Sequence, residues 1–492
     1  MKLAIVTAAA LGALLGAWPG RAAAQTDLLR IRGAASHDGY GFAIGPAGDV
    51  DGDGVGDLLV GSPDDDTNGT DAGRVRVLSG SDFSLLREHF GDAAADRLGY
   101  GIGKAVGDID GDGFDDYVLG AMQSADLISY GLGYVRAYSG PTGALLHEWI
   151  GTELDAAFGD RPTVIGDIDG DGFADVAVPA IYHGSGATDY RGAVYIYSGK
   201  DGALIWKNAG TSANENYGYA LARVGDVDGD GVVEFAIGAV GRQVNGYWRG
   251  GVEVWSGKSG ALLFSEIGGL DDWFGGALAD VGDLDGDGVP DLLVGSFNDS
   301  FPAKPGEAHV YSLKTGAELY CFSGTVDGDL FGYAVAGLDD LDGDGVPEFA
   351  ITAPTGAAAP PWTGRCSVYS GRRGLLLADL ESGSVDDAFG AELMVHHDLD
   401  GDGRREFLVG APSAIYSLPT VPGAIHLFSW ADCHASAQAY GAGWPGTLGV
   451  PSLAASNPPW LGEPIDIVLG NSYGQPTIAL VLMGFGKAQI AS

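Results

Sequence analysis

The same acidic nonapeptide returns seven times along this chain, at intervals of 57 to 59 residues, beginning at Asp49, Asp108, Asp167, Asp226, Asp283, Asp340 and Asp398. Each copy reads D-x-D-G-D-G-x-x-[D/E]. A near-constant interval means that one supersecondary unit is being repeated, and a unit of this size cannot bury its apolar face alone. The architecture therefore lies in the unit and its copy number, not in dividing 492 residues by a typical domain length.

Aligned on the acidic loop, each unit contains four β segments. The first follows an aromatic or apolar residue plus glycine: Tyr40-Gly41, Leu98-Gly99, Phe158-Gly159, Tyr217-Gly218, Phe274-Gly275, Phe331-Gly332 and Phe389-Gly390. After the loop comes a continuously apolar strand, such as Leu58-Leu59-Val60, ending in a small-residue turn such as Gly410-Ala411-Pro412. A variable loop leads to a third strand that alternates in the half-buried manner, as in Val194-Tyr195-Ile196-Tyr197. A glycine turn then gives a fourth strand, for example Leu145 to Ile150. Period-two patterning and β-branched and aromatic enrichment agree on strands throughout. Four-stranded units repeated radially predict an all-β fold, a seven-bladed β-propeller. The seventh unit lacks a fourth strand in register, whereas Leu28 to Gly33 matches that pattern ahead of the first unit. The N-terminal strand is therefore expected to complete the last blade and close the ring.

In the nonapeptide, side chains at positions 1, 3, 5 and 9 and a carbonyl at position 7 can converge on one hard cation, with glycines at 4 and 6 permitting the turn. The proposed ligands are Asp49, Asp51, Asp53 and Asp57; Asp108, Asp110, Asp112 and Asp116; Asp167, Asp169, Asp171 and Asp175; and Asp226, Asp228, Asp230 and Glu234. The last three loops supply Asp283, Asp285, Asp287 and Asp291; Asp340, Asp342, Asp344 and Glu348; and Asp398, Asp400, Asp402 and Glu406. Calcium accepts six to eight oxygens at flexible geometry, whereas magnesium demands a tight octahedron, so up to seven Ca²⁺ are expected. An EF-hand is excluded, because position 12 is Val60 or Leu119 where that loop needs an acid. The loops hold 28 of the 66 acidic residues, so much of the net charge of −40 is a metal-site signature. The same charge excludes a general nucleic-acid binder. With dissociation constants of about 10⁻⁴–10⁻³ M, tenfold excess calcium stabilises each site by roughly 1.4 kcal/mol. Seven sites then give about 10 kcal/mol, comparable with a whole domain's margin of roughly 5–15 kcal/mol.

The aromatic-glycine pair, the acidic loop and the Gly-Ala-Pro-like turn together resemble FG-GAP repeats, found in the N-terminal propeller of integrin α chains and in many secreted bacterial proteins. The resemblance covers roughly Thr26 to Ser429. It implies a seven-bladed propeller with calcium loops between the first and second strands of its blades. Integrin α chains fill only some of these loops, whereas all seven here retain the acidic positions. An integrin-type inserted domain and leg domains have no counterpart in the sequence.

Residues 1–24 read as a secretory signal: Lys2, an apolar run from Leu3 to Ala17, then Ala22-Ala23-Ala24 at the cleavage position. This predicts a secreted, cell-surface or periplasmic protein with no transmembrane segment after cleavage. Residues 25–430 form the expected propeller. Residues 431–492, rich in Pro and Gly with two apolar strands, are expected to form a small C-terminal β-rich module, whether whole or incomplete. Cys321, Cys366 and Cys433 are too few for a disulfide framework, and their pairing stays open.

Other motifs carry little chemistry. A carboxylate recurs two residues before the aromatic-glycine pair, at Asp38, Asp96, Glu215, Asp272, Asp329 and Asp387. Recurrence in six units argues for capping rather than for a glycosidase acid pair. Gly441 to Gly446 matches G-x-G-x-x-G without strand–helix context. His396-His397 has no partner spacing for a transition metal. The variable loops between second and third strands carry the candidate partner-binding residues Tyr130, Tyr182, Tyr190, Tyr247, Trp248, Phe297, Phe301 and Trp362. The leading expectation is a secreted calcium-binding propeller that binds an extracellular protein or glycan, with calcium mainly structural. The alternatives are an extracellular hydrolase or lyase with its site on the propeller face, or a structural surface component.

Overall fold

The computed structural model describes residues 25–33, 38–124, 130–184, 189–270, 273–298, 304–355, 364–382, 384, 387–399, 404–412 and 423–430, and four short strands between 452 and 491. Thr26–Trp430 is one compact unit and holds seven four-stranded antiparallel sheets. No helix occurs among the described residues. Blade 1 is built from Ile44–Gly48, Asp57–Ser62, Arg74–Leu78 and Leu85–Phe90. The next five repeat that order. Blade 7 takes Glu392–Val395, Phe407–Ala411 and Ala424–Trp430 from the end of the array and Gln25–Arg32 from its beginning, so the ring closes on the N-terminal strand as expected. Gly33 extends that closure by donating its N–H to the Gly423 carbonyl at 2.9 Å.

Burial follows the position of each strand in its blade. Second strands are buried along their whole length, because both faces pack on neighbouring blades; Asp57–Ser62 and Asp291–Ser296 are examples. Fourth strands are largely half-buried or exposed, as at Leu85–Phe90. The apolar core is thus a set of layers between blades rather than one central core. Leu59, Val75 and Val77 of blade 1 pack on Tyr117, Leu119 and Tyr134 of blade 2. Ile44, Leu58 and Val60 of the same blade pack on Met394, Leu408 and Leu427 of blade 7, so the last interface is as apolar as the others. Close approach between blades requires glycine. A Cβ on Gly61 would lie 2.2 Å from the Gly99 carbonyl oxygen of the next blade.

Elsewhere, Ser452–Ala455 pairs with Ile467–Gly470 and Leu480–Val481 pairs with Ile490–Ala491, both antiparallel. These belong to a separate unit, Met1–Gln25 with Ala431–Ser492. Residues 1–24, Cys433 and 441–446 lie outside the described residues.

Candidate metal centres

All the acidic loops connect first to second strands, so the antiparallel topology puts them at one end of the ring. In blades 1 to 6 each loop is wound by its own carboxylates. In blade 2, Asp108 accepts the N–H groups of Gly111 at 2.6 Å, Asp112 at 3.0 Å and Gly113 at 2.9 Å. Asp110 accepts from Asp112 at 3.1 Å, and Asp112 from Phe114 at 2.9 Å. The same bonds recur around Asp167, Asp226, Asp283 and Asp340. They also recur through Asp169 and Asp171, Asp228 and Asp230, Asp285 and Asp287, and Asp342 and Asp344. The loop glycines of blades 1 to 6 adopt the left-handed conformation; Gly113, at φ +90°, meets nothing within 4 Å, so backbone freedom alone is required there.

Position 9 opens or immediately precedes the second strand and is buried in every blade: Asp57, Asp116, Asp175, Glu234, Asp291, Glu348 and Glu406. One oxygen reaches back to the start of the loop, as from Asp116 to the N–H groups of Ile109 at 2.8 Å and Asp110 at 3.2 Å. In blades 1 to 3 the other oxygen accepts a glycine N–H in the turn between third and fourth strands: Gly80 to Asp57 at 2.8 Å, Gly140 to Asp116 at 2.9 Å and Gly199 to Asp175 at 3.1 Å. In blades 4 to 6 that second oxygen, on Glu234, Asp291 and Glu348, is buried with no hydrogen-bond partner. Asp49 Oδ1 and Asp344 Oδ2 are likewise buried and without a partner.

Ligand atoms converge. One oxygen from each of Asp226, Asp228, Asp230 and Glu234 lies within 4.8 Å of the others, and the same holds for Asp340, Asp342, Asp344 and Glu348. Smaller sets form from Asp49, Asp51 and Asp53 and from Asp108, Asp110 and Asp116. Burial pushes the position-9 carboxyls up, Asp116 to about 6, Asp175, Glu234 and Asp291 to about 7 and Glu348 to about 8, with neighbouring loop carboxylates adding to the rise. A buried carboxylate oxygen without a donor is costly. A hard cation satisfies it and the surrounding negative charge together. The residues therefore fit an oxygen-ligated divalent ion. In the seventh loop Asp398 is exposed and Glu406 buried, Glu406 accepting the Leu399 N–H at 2.5 Å, while Asp400 and Asp402 lie outside the described residues.

At Asp96, Glu215, Asp329 and Asp387 the recurring carboxylate before the aromatic-glycine pair is a cap, while Asp272 lies outside the described residues. Asp96 accepts N–H groups of Asp92 at 2.8 Å and Ala93 at 3.1 Å, and the Tyr134 hydroxyl at 3.1 Å. Asp329 accepts Gly306, Thr325 and Phe331 N–H groups. His396 is buried, with its Nε2 3.4 Å from the Gly80 carbonyl oxygen, which fits a structural histidine.

The variable loops lie at the opposite end of the ring. Tyr130, Tyr182 and Tyr190 form a ladder with ring centroids 5.3 and 5.1 Å apart. Tyr247 and Trp248 stand on a two-residue-stranded hairpin with Gln243–Val244 and are 60% and 43% exposed. Phe301 and Trp362 lie outside the described residues. Phe297 departs from expectation: it is 3% exposed and packs on Trp273 and Tyr333 at 5.6 and 5.2 Å. The reason is Gly276, whose missing side chain leaves room for the Phe297 ring; a Cβ there would sit 2.3 Å from it. The residue after each aromatic-glycine pair, Phe42, Tyr100, Tyr219 and Tyr333 in four blades, was missed as a lining position. These rings face the central channel, where a cavity of about 380 Å³ is bordered by Tyr219, Tyr333, Phe297, Arg161 and the ion-paired Lys104 and Glu392. Their signal was recurrence at a fixed offset from the glycine.

The FG-GAP repeat family matches residues 40–78 and 331–369, within blades 1 and 6. The chain is 34% identical to integrin alpha-V of Gallus gallus over 225 residues, 42% of this chain and 20% of that protein. It is 33% identical to integrin alpha-4 of Xenopus laevis over 195 residues, 37% of this chain and 18% of that protein. The match thus spans about a fifth of the length of these curated relatives. A solved structure titled "Structure of Dos1 propeller" aligns over 76% of either chain at 12% identity and a TM-score of 0.43. The chain carries FG-GAP repeats and resembles the propeller of integrin α chains.

Proposed function

We propose that this chain is an extracellular binding module whose propeller is held together by calcium, up to one ion per blade, leaving the opposite end of the ring to recognise an extracellular protein or glycan. The observation that carries the metal half is the set of buried carboxylate oxygens with no donor, on Asp49, Glu234, Asp291, Asp344 and Glu348. Positions 1, 3 and 5 would supply ligands from within the loop, and position 9 would tie the ion to the second strand. Bound calcium supplies two positive charges to a loop of four carboxylates and so turns mutual repulsion into a cross-link between strands. A catalytic role for the acidic loops is disfavoured, because a reacting group is needed once whereas these recur in every blade.

The binding half is supported by the resemblance to integrin α chains and by the placement of aromatics on loops that differ from blade to blade, over a rigid repeated scaffold. Among the described residues Tyr247 and Trp248 are the most exposed of these, and such rings suit protein hot spots or sugar stacking. The test is a screen of the intact chain against arrayed glycans and extracellular proteins, with calcium and with chelator. Calcium-dependent capture that Trp248→Ala weakens about tenfold or more is expected. Turnover of a polysaccharide or phosphodiester by the same preparation, with no captured partner, would overturn the reading in favour of a hydrolase or lyase.

A further inference from the structure

The six complete blades share a register, so equivalent positions can be compared within one chain. A pair of residues faces each other across the third and fourth strands at Arg76–Glu88, Arg136–Glu148, Tyr195–Lys207, Glu253–Ser265, His309–Cys321 and Ser367–Asp379. Most of these are ordinary polar pairs. Arg76 and Arg136 sit 3.3 and 2.7 Å from their glutamates, Lys207 lies over the Tyr195 ring at 4.5 Å, and Ser367 donates to Asp379 at 2.5 Å. A second shared position begins the fourth strand. It is Leu85, Leu145, Leu204, Leu262 and Leu376 in blades 1 to 4 and 6, each about half exposed, but Glu318 in blade 5.

Blade 5 therefore differs at three places that meet in space. Where the other blades carry Arg, Tyr, Glu or Ser at the first position, Glu, Lys, Ser or Asp at the second and Leu at the third, it carries imidazole, thiol and carboxylate. The ligand atoms of His309, Glu318 and Cys321 all lie within 4.8 Å of one another. His309 Nδ1 is 2.7 Å from Glu318 Oε1, and Nε2 faces Glu307 Oε2 at 3.6 Å. The ring is steadied from behind by Phe274, edge-on at 5.4 Å. Cys321 is exposed, so the cluster opens to solvent.

We propose that the outer face of blade 5 is a second kind of metal site, in which Cys321, His309 and Glu318 bind a borderline divalent cation of the zinc class. Nδ1, thiolate and carboxylate are the donor types such an ion prefers, and the all-oxygen loops at the end of the ring are not. Bond lengths of about 2.0–2.3 Å set the three donors roughly 3.5 Å apart, so Nδ1 and Oε1, now 2.7 Å apart, open slightly around the ion while the sulfur stays within reach, adjustments that surface side chains make by rotation. One thiolate and one carboxylate balance the two positive charges; the thiol proton leaves to solvent on binding. A fourth position remains for water. In the metal-free chain Nδ1–H donates to Glu318. On binding, the ion takes the place of that proton at Nδ1, the ring keeps its N–H at Nε2, and Glu307, 3.6 Å away, is placed to accept it, as a carboxylate behind a metal-bound histidine does.

The test uses the full chain in excess Ca²⁺, which keeps the acidic loops filled, with a non-thiol reductant, and titrates Co²⁺ and then Zn²⁺. One Co²⁺ per chain is expected, with tetrahedral visible bands and a thiolate charge-transfer band, both erased by Zn²⁺. Cys321→Ser should abolish the charge-transfer band. Glu318→Leu installs the residue the other blades carry, so the fold is retained while affinity falls at least tenfold. Glu307→Gln should weaken binding about tenfold while leaving the spectrum intact. The proposal is overturned if Co²⁺ is not taken up, if it binds without a thiolate band, or if Cys321→Ser binds it with the same spectrum and affinity.

Discussion

Asp116 accepts the N–H groups of Ile109 and Asp110 through one oxygen and that of Gly140 through the other, all inside the blade. Asp116→Ala would strand these three donors, and each unsatisfied buried group costs about 1–3 kcal/mol. A loss of about 3–5 kcal/mol is expected even in EDTA, read from urea unfolding. Asp110 is different. It accepts one loop N–H, which an asparagine oxygen can still accept. Asp110→Asn should leave the chelated protein within about 0.5 kcal/mol of wild type but remove roughly 1.4 kcal/mol of the calcium-dependent increment. If both variants behave alike, the division between structural and ligand carboxylates is wrong. The sequence pattern marked both residues as ligands equally. The second role of position 9 stayed hidden because its partner, Gly140, lies 24 residues away in another turn.

At the scale of the loop, protons and calcium compete for the same oxygens. Without calcium, the folded position-9 carboxyls of Asp175, Glu234, Asp291 and Glu348 hold their protons up to about pH 7 or 8 because they are buried. Unfolded carboxyls titrate near 4. A raised folded value means that the native state binds more protons between these limits, so the chelated fold gains stability as pH falls from about 8 toward 5 and loses it as pH rises. In calcium the dependence reverses. The calcium-induced rise in Tm should grow steadily from pH 5.5 to pH 8, measured by paired scans in Ca²⁺ and EDTA. A constant rise would show that these carboxyls are not displaced from protons by the ion. The strands around the loop were legible in advance, because second strands bury both faces and read as unbroken apolar runs such as Leu58-Leu59-Val60. The variable loops were less legible. Phe297 looks like its exposed counterparts, and only the absent side chain of Gly276, in a different segment, explains why it turns inward.

For the ring as a whole, two kinds of link act together: apolar layers between blades and ions within them. Chelation removes the second kind everywhere, so a fall in Tm of about 10 °C or more is expected in EDTA, on the basis of roughly 10 kcal/mol spread over the sites. Deleting residues 25–33 acts at one place. It uncovers the Ala424–Trp430 edge and removes the hydrogen bond from Gly33 to Gly423. A fall of about 5–10 °C, with calcium present, would follow; an unchanged melting temperature would mean the clasp carries no load. Copy number and the missing fourth strand of unit seven made this closure readable from sequence. The channel lining was not, since its rings come from several blades and meet only when the circle is formed.

The clasp also sets an order of events. The two residues at its end, Gly33 and Gly423, are some 390 positions apart, so the clasp strand waits for the whole array of blades to be made before it finds its neighbour. Blades 1 to 6 can assemble as they emerge, each from local hairpins. The final seam is a long-range search with a bare strand edge at risk of pairing with another molecule, and it is there that crowded refolding should yield swapped dimers and chains of rings.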